Sequence, residues 1–364
     1  MRLKHVIEEL ERIAPTPHAE AWDNVGLLAG DPEQEISRGI LAIDYTSDVA
    51  EERRQLDCDL VIAYHPPIFH ALKRLTAGSL VFDAIRNSVA IYSPHTALDV
   101  AEGGTNDVLC DVLGVSRRAP LKLAETKASQ YKLVTFVPEA ALEAVSRALF
   151  DAGAGRIGKY SACSFRSPGT GTFFGEAGTN PAVGHSDRLE QAPEIRLETV
   201  VPIARVSHVI EALRKSHPYE EPAFDLNQLA APPVGVGIGR VGEFDKPVER
   251  AEIFGRIKRG LEIDHLLIAG PINGAVQRVA ACAGACGELA NDALSHKAEL
   301  YLTGEMRHHD AIKAAEARMT VVCTLHSNSE RATLRRLKQR LEERLPKGPE
   351  WHLSQQDRDP FAVR

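Results

Sequence analysis

A chain of 364 residues, 44% hydrophobic and 26% charged, has ordinary globular composition and enough length for two or three domains with ample cores. Its net charge of −7, from 43 basic and 50 acidic side chains, argues against a sequence-independent nucleic-acid binder, which carries a basic surplus. No run approaches the roughly 18 apolar residues of a membrane span, and Glu8, Glu9 and Glu11 break any signal-peptide core, so a cytoplasmic protein with no membrane partner is expected.

In chain order, the spacing predicts a helix over Val6–Ile13, then a loop-to-strand segment, Ala21–Leu28, anchored by Trp22. A strand follows at Gly39–Asp44, with Asp44 at its C-terminal end, and a helix at Ser47–Leu56. Asp59–Tyr64 is a continuous apolar run, as expected of a strand buried on both faces, and it ends in Tyr64-His65-Pro66-Pro67. Ala77–Asn87 reads as a helix. Val89–Tyr92 reads as a strand that ends in Ser93-Pro94-His95-Thr96-Ala97-Leu98-Asp99. The next helix reaches Leu113, with Thr105 or Asn106 as its cap. Alternating strands and helices predict a mainly parallel, helix-covered sheet.

Residues 116–129 lose this pattern and read as a boundary. Beyond it come a strand, Lys132–Val137, a helix, Glu139–Ala152, and two hairpin strands, Ile157–Phe165 and Thr170–Glu176. A strand at Glu194–Val201, a helix at Ile203–Ser216 and a strand at Ala223–Leu226 complete the β-α-β-β-α-β order of a ferredoxin-like unit. Residues 228–239, with Gly235-x-Gly-x-Gly239, have the composition of a linker.

The α/β rhythm then resumes. Strands are predicted at Arg240–Glu243, His265–Ala269, Val276–Ala281, Glu299–Leu302 and Thr320–Cys323. Helices are predicted at Val248–Leu261, Glu288–Ser295, from the Thr303-Gly304-Glu305 turn to Ala317, and from His326 through Arg344. The expected architecture is an α/β core, residues 1–128 and 229–364, interrupted by an α+β insert at 129–228. The six cysteines have no regular spacing and fit reduced thiols; Cys282 and Cys286 lack the second pair that a zinc knuckle needs.

Three strands end in side chains that can bind a metal. His65 follows the first, His95 and Asp99 the second, and His326 and Glu330 the third. His326 and Glu330 are four apart and share one helical face. Open α/β sheets place ligand sites at such strand ends. A mixed imidazole and carboxylate set suits zinc, iron or manganese better than calcium. Each residue alone has an ordinary structural explanation, such as a helix cap or a bond to a backbone carbonyl. Three strand ends together favour a divalent metal.

The segments WDNVGLLAG, YHPPIF, YSPHTALDVAEGGTND, LTGEMRHHDAIKA and LHSNSE resemble the motifs of one family, the dinuclear-metal hexameric Nif-three-like proteins, also labelled type 2 GTP cyclohydrolase I homologues. GTGTFFGEAGTNPAVG and SHPYEEPAFDL resemble the PII- or CutA-like module inside its longer members. The resemblance implies that His65 and Asp99 hold one metal, that Glu330 bridges two, and that His326 binds the second. It places Tyr64 where the family has its first motif histidine. A phenol of pKa about 10 is a poor neutral ligand, so one site is expected to be weak, water-filled or empty. The resemblance also implies a homohexamer.

His309 matches a family histidine after the Thr-Gly-Glu turn and is the preferred acid/base candidate; His95 is the second. Glu305 reads more simply as a helix N-terminal charge. The CAGACG turn lacks a P-loop lysine and reads as tight packing. The run RATLRRLKQRLEER reads as a solvated amphipathic helix. The expected function is metal-dependent hydrolysis, in the manner of a cyclohydrolase, of a small anionic or nucleotide-like molecule. The alternative is a non-enzymatic metal-handling or regulatory ring whose insert senses a ligand or docks a protein.

Overall fold

The computed structural model describes residues 1–123, 130–158, 160–229 and 236–363. The chain divides into two compact units, Met1–Ala124 with Pro233–Arg364, and Glu125–Pro232.

The larger unit contains two sheets. The first has the strand order Gly26–Ala29, Ala90–Ser93, Leu60–Ala63, Arg38–Ala42 and Glu350–Leu353. Its last four strands run parallel, and Gly26–Ala29 is antiparallel at the edge. Leu60–Ala63 is buried along its whole length, as its uninterrupted apolar run required. The second sheet runs Leu267–Ala269, Thr320–Cys323, Leu300–Thr303, Ala275–Cys282, Gly237–Glu249 and Arg117–Leu123. Its three consecutive strands from Thr320–Cys323 to Ala275–Cys282 are parallel, and its flanks are antiparallel. The α/β class is therefore present, with sheets more mixed than a simple alternation suggests.

Residues 116–129 are not a plain boundary. Arg117–Leu123 is an edge strand paired with Gly237–Glu249, although Arg118, Pro120 and Lys122 alternate along its half-exposed face. Residues 124–129 of that segment, and 230–235 of the predicted linker including Gly235, lie outside the described residues; the linker's ends are not loop, since 228–229 close the strand Phe224–Leu229 and 237–239 open Gly237–Glu249. The helix expected to reach Leu113 begins at Thr105, after Gly104 and without a side-chain cap. Asn106 works elsewhere: its Nδ2 donates to the Asp99 carbonyl at 2.9 Å, and its Oδ1 accepts from Ala283 N at 2.9 Å. Tertiary partners thus outbid the local cap.

The helix Leu3–Ile13 buries Leu3, Val6, Leu10 and Ile13, a spacing that puts one apolar stripe on the first sheet. The long helix His326–Arg344 does the same with Leu334, Leu337 and Leu341. Each such fully buried leucine contributes roughly 1.5–3 kcal/mol. This helix leaves the end of a second-sheet strand yet packs into the core of the first sheet, so it brings the two sheets' strand ends to one place.

A buried ion pair adds to the join. Arg240 and Asp107 are each 3% exposed, with Arg240 Nε 2.6 Å from Asp107 Oδ1. Arg240 also donates to the carbonyls of Gly237, Gly239 and Ala101 at 2.8, 2.8 and 3.1 Å. Removing one partner leaves an uncompensated buried charge, so Asp107→Ala is expected to lower stability by about 3–5 kcal/mol. A urea midpoint equal to wild type would show that the arginine's charge is met by those carbonyls alone.

In the smaller unit one four-stranded antiparallel sheet runs Ser164–Phe174, Leu189–Pro202, Gln130–Val137, Phe224–Leu229. Numbered within the unit this order is 2-3-1-4, the ferredoxin-like arrangement, with helices Leu142–Asp151 and Val206–Ser216 covering one face. The predicted hairpin of Ile157–Phe165 with Thr170–Glu176 does not form. Pro168 and Gly169 do not turn the chain; they stay within one 11-residue strand that pairs along Leu189–Pro202. A proline tolerates an edge strand because the N–H it lacks is not needed there.

Candidate metal centre

His65 lies just past the strand Leu60–Ala63, where the backbone still follows its neighbour: Tyr64 N and His65 N donate to Ala42 O and Ile43 O, each at 2.9 Å. His326 is the first residue of its helix, after Leu325, which has φ +70°. Glu330 is one turn on, as the i,i+4 spacing predicts.

The donor atoms of these three residues lie within 4.8 Å of one another. His65 Nε2 stands 3.3 Å from Glu330 Oε2, and His326 Nε2 stands 3.3 Å from Glu330 Oε1. The two imidazole rings are 5.2 Å apart. Each ring is also held from behind. His65 Nδ1 is 3.0 Å from Asp44 Oδ1, and His326 Nδ1 is 2.7 Å from Glu305 Oε1. A carboxylate on Nδ1 fixes the tautomer that turns the Nε2 lone pair inward, the arrangement typical of metal-ligating histidines.

The charge balance points the same way. Glu330 is 3% exposed, and its Oε2 is buried without a geometrically sound hydrogen bond among the described residues. A buried carboxylate whose two oxygens each face one imidazole nitrogen is the environment that a divalent cation completes. Without one, protons fill the role. Burial works against His65, but hydrogen bonds to Asp44 and Glu330 and their charges raise its pKa to about 10. His326 is raised to about 9, first by its bond to Glu330. Burial opposes ionisation of Glu330 too, yet the bonds from His326 and His65 keep it below the usual carboxylate value. These residues fit a divalent ion, whose arrival would release the protons.

Asp99 stands apart from the triad. Its carboxylate accepts from the Tyr64 hydroxyl, which is 3.0 Å from Thr105 Oγ1. Burial, reinforced by the charge of Glu330, raises Asp99 to about 6. Tyr64 is fully buried, and burial followed by the Asp99 charge pushes its phenol well above the ordinary value. Close contacts thus link His65 and His326 through Glu330, and Asp99 to Tyr64. The two groups adjoin, since the Tyr64 and His65 rings lie 5.4 Å apart, edge to face.

His95 joins the cluster, its ring 5.2 Å from that of His65 and 5.8 Å from that of Tyr64. Its Nδ1 is 2.8 Å from Asp23 Oδ1, and Asp23 also accepts from Thr96 N at 3.1 Å. His309 is exposed at the start of the helix His308–Glu316, with its ring against His308 at 5.4 Å. No contact among the described residues brings it to the triad. Glu305 precedes that helix and orients His326, so it is not a helix-terminal charge. Trp22 is 60% exposed and packs beside Phe69 and His95, at 5.9 and 6.0 Å, so it is a rim residue and not a core anchor.

Asp23, Asp44 and Glu305 were the functional neighbours that residue patterns missed as a group. The available signal was a carboxylate near each strand end, and its partner is visible only in space. Gly284 was also missed. Its φ is +71°, and a Cβ there would meet Glu330 Oε1 at 2.9 Å and His326 Nε2 at 3.4 Å. The CAGACG turn is thus a wall of the site. Two of its N–H groups are spent, on Asn106 Oδ1 at Ala283 and on Ser329 Oγ at Gly284.

Asp44→Asn and Glu305→Gln should each lower metal affinity about 10–100-fold while leaving the ligands in place. Competition with a chromophoric chelator measures this. Unchanged affinity in both variants would mean the rings need no orientation from behind.

Together these features define a class: α/β proteins with a candidate histidine and glutamate metal site at strand ends, carrying a ferredoxin-like insert. The chain belongs to the Duf34/NIF3 (NGG1p interacting factor 3) family, whose model matches residues 1–360. It is 36% identical over 344 residues to a protein of Halalkalibacterium halodurans named GTP cyclohydrolase 1 type 2 homolog, covering 93% of this chain and 92% of the relative. A Bacillus subtilis protein of the same name is 35% identical over 323 residues, 88% of this chain and 86% of the relative. Among solved structures, a Bacillus cereus protein related to NIF3 is 32% identical with a TM-score of 0.72, covering 100% of this chain and 99% of its own. A Staphylococcus aureus protein is 25% identical with a TM-score of 0.83 at the same coverage. No described helix is long and apolar enough to cross a membrane.

Proposed function

We propose that this protein is a metal-dependent hydrolase acting on a small anionic, nucleotide-like molecule, with His65, His326 and Glu330 holding a divalent zinc, iron or manganese ion. The observation that carries the reading is the Glu330 carboxylate, buried between two inward-facing Nε2 atoms whose opposite nitrogens are anchored by Asp44 and Glu305. When bound, such an ion polarises substrate oxygens and acidifies water.

The chain's own groups supply the rest. His95, oriented by Asp23, stands beside His65 and is placed to move a proton. His309, exposed and away from the triad, is the weaker candidate on geometry. Trp22 and Phe69 offer exposed aromatic faces at the rim, on which a planar base can stack. The relatives' printed name makes GTP the first substrate to try.

Turnover of GTP and of simple phosphate esters is expected to vanish on chelation and to return with one of the three metals. His95→Gln should lower kcat without changing metal content. Turnover indifferent to chelation would sink the reading.

The Tyr64–Asp99 contact favours a second reading, a metal-handling or regulatory ring. It occupies the carboxylate that a two-metal reaction would need. Metal-dependent partner binding without turnover would support it.

A further inference from the structure

The smaller unit holds a cavity of about 600 Å³, lined only by its own residues. It lies on the sheet face away from the two helices, since Leu133, Val137 and Leu197 point into the helical core while Phe136, Glu194 and Arg196 alternate to the other side. Two stretches that stood out in the sequence, 169–184 and 216–226, come together on it. Nothing in the metal chemistry uses either.

The cavity is built by specific contacts. His217 is buried; its Nδ1 accepts from Tyr219 N at 3.1 Å and its Nε2 donates to Phe136 O at 3.0 Å, which pins the loop. Tyr219 Oη then donates to Glu194 Oε1 at 2.7 Å, leaving Oε2 to accept from a ligand. Asn180 N donates to Glu220 Oε2 at 3.2 Å and ties the two loops together. The floor is a strand without side chains at two positions. A Cβ on Gly169 would meet nothing within 4 Å, whereas one on Gly171 would strike the Glu194 carboxylate at 2.1 Å.

The charge of the wall selects the occupant. Glu194, Glu220 and Glu221 line it, against one cation among the described lining residues, Arg196. Arg196 is already engaged by Glu198 at 2.7 Å and lies over the Phe136 ring at 6.0 Å. An anion would meet repulsion here. A flat cation would find an open glycine floor, the aromatic side chains of Phe136 and Phe173, and an oriented carboxylate at one end.

We propose that this cavity is a second binding site, taking a small planar organic cation of the amidinium, guanidinium or aminoheterocycle class, with Glu194 as its counter-ion. The site belongs to the insert alone and does not depend on the metal reading.

The test titrates full-length protein with benzamidine and 2-aminobenzimidazole, and with benzoate as the same ring carrying the opposite charge. At least one of the cations should bind once per chain, and benzoate should not. Glu194→Gln keeps the acceptor for Tyr219 but removes the charge, and should weaken binding about tenfold or more. Gly169→Leu projects into the cavity from a Cβ position with nothing within 4 Å and should abolish binding, with an unchanged thermal transition as the check that the fold is kept. Glu330→Gln should leave binding intact, which separates this site from the metal centre. The proposal is overturned if neither cation binds at about 10 mM, the range where one charged contact plus stacking registers. It is equally overturned if benzoate competes, or if binding survives both insert variants.

Discussion

Glu330→Ala is expected to leave the purified chain without metal. Glu330 is the one residue of the triad that touches both of the others, through a different oxygen to each imidazole. It is also the negative charge in that gap, and a divalent ion held by two neutral imidazoles alone would sit half-buried with little compensation. The loss should exceed the roughly 10–100-fold typical of an outer partner. Elemental analysis of protein purified without added metal should fall from about one ion per chain to background. Folding should survive, because removing the carboxylate from the metal-free chain also removes a buried charge. Full metal content in a folded Glu330→Ala protein would refute the ligand assignment outright.

Tyr64→His should raise the metal content from about one ion per chain to two. The phenol at this position is buried, held neutral by that burial and by Asp99, and spends its hydrogen on the Asp99 carboxylate. A neutral phenol is a poor ligand, and its hydrogen bond also takes up the carboxylate that would serve a second ion. An imidazole there would offer a lone pair beside Asp99 and free that carboxylate. Glu330, whose charge already acts on Asp99, could then bridge. The smaller side chain leaves a gap, so a stability loss of about 1–3 kcal/mol is expected. A stoichiometry that stays at one would mean that Asp99 is not a ligand in this fold. Two equivalents in the wild type would mean that Tyr64 does not disable the second site, and would strengthen the hydrolase reading over the regulatory ring.

Much of this was legible in the residues. The buried run Leu60–Ala63, the β-branched run Thr320–Cys323 and the i,i+4 pair at 326 and 330 announce strand, strand and helix face by local pattern alone. Errors arose where a local signal had a stronger distant competitor. Ile157–Phe165 and Thr170–Glu176 read as two strands of a hairpin, but pairing of one continuous strand with Leu189–Pro202 over 11 residues outweighs it. Thr105 and Asn106 read as caps, but Asn106 bridges Asp99 and Ala283 instead. Trp22 reads as an anchor because of its size, yet it lies exposed at the rim.

By itself the sequence determined which side chains stand at strand ends and which helix face carries His326 and Glu330, because those follow from periods of two and 3.6 residues. Which of them meet was decided only by the tertiary structure. The helix His326–Arg344 leaves the second sheet and buries its leucines in the first, which carries Glu330 to His65 across more than 260 positions of chain. The same packing turns His65 towards His326 and Tyr64 towards Asp99, and places Asp44, Glu305 and Asp23 behind the imidazoles. Contacts of that separation are set by the summed burial of two sheets and their helices, and no local spacing in the chain encodes them.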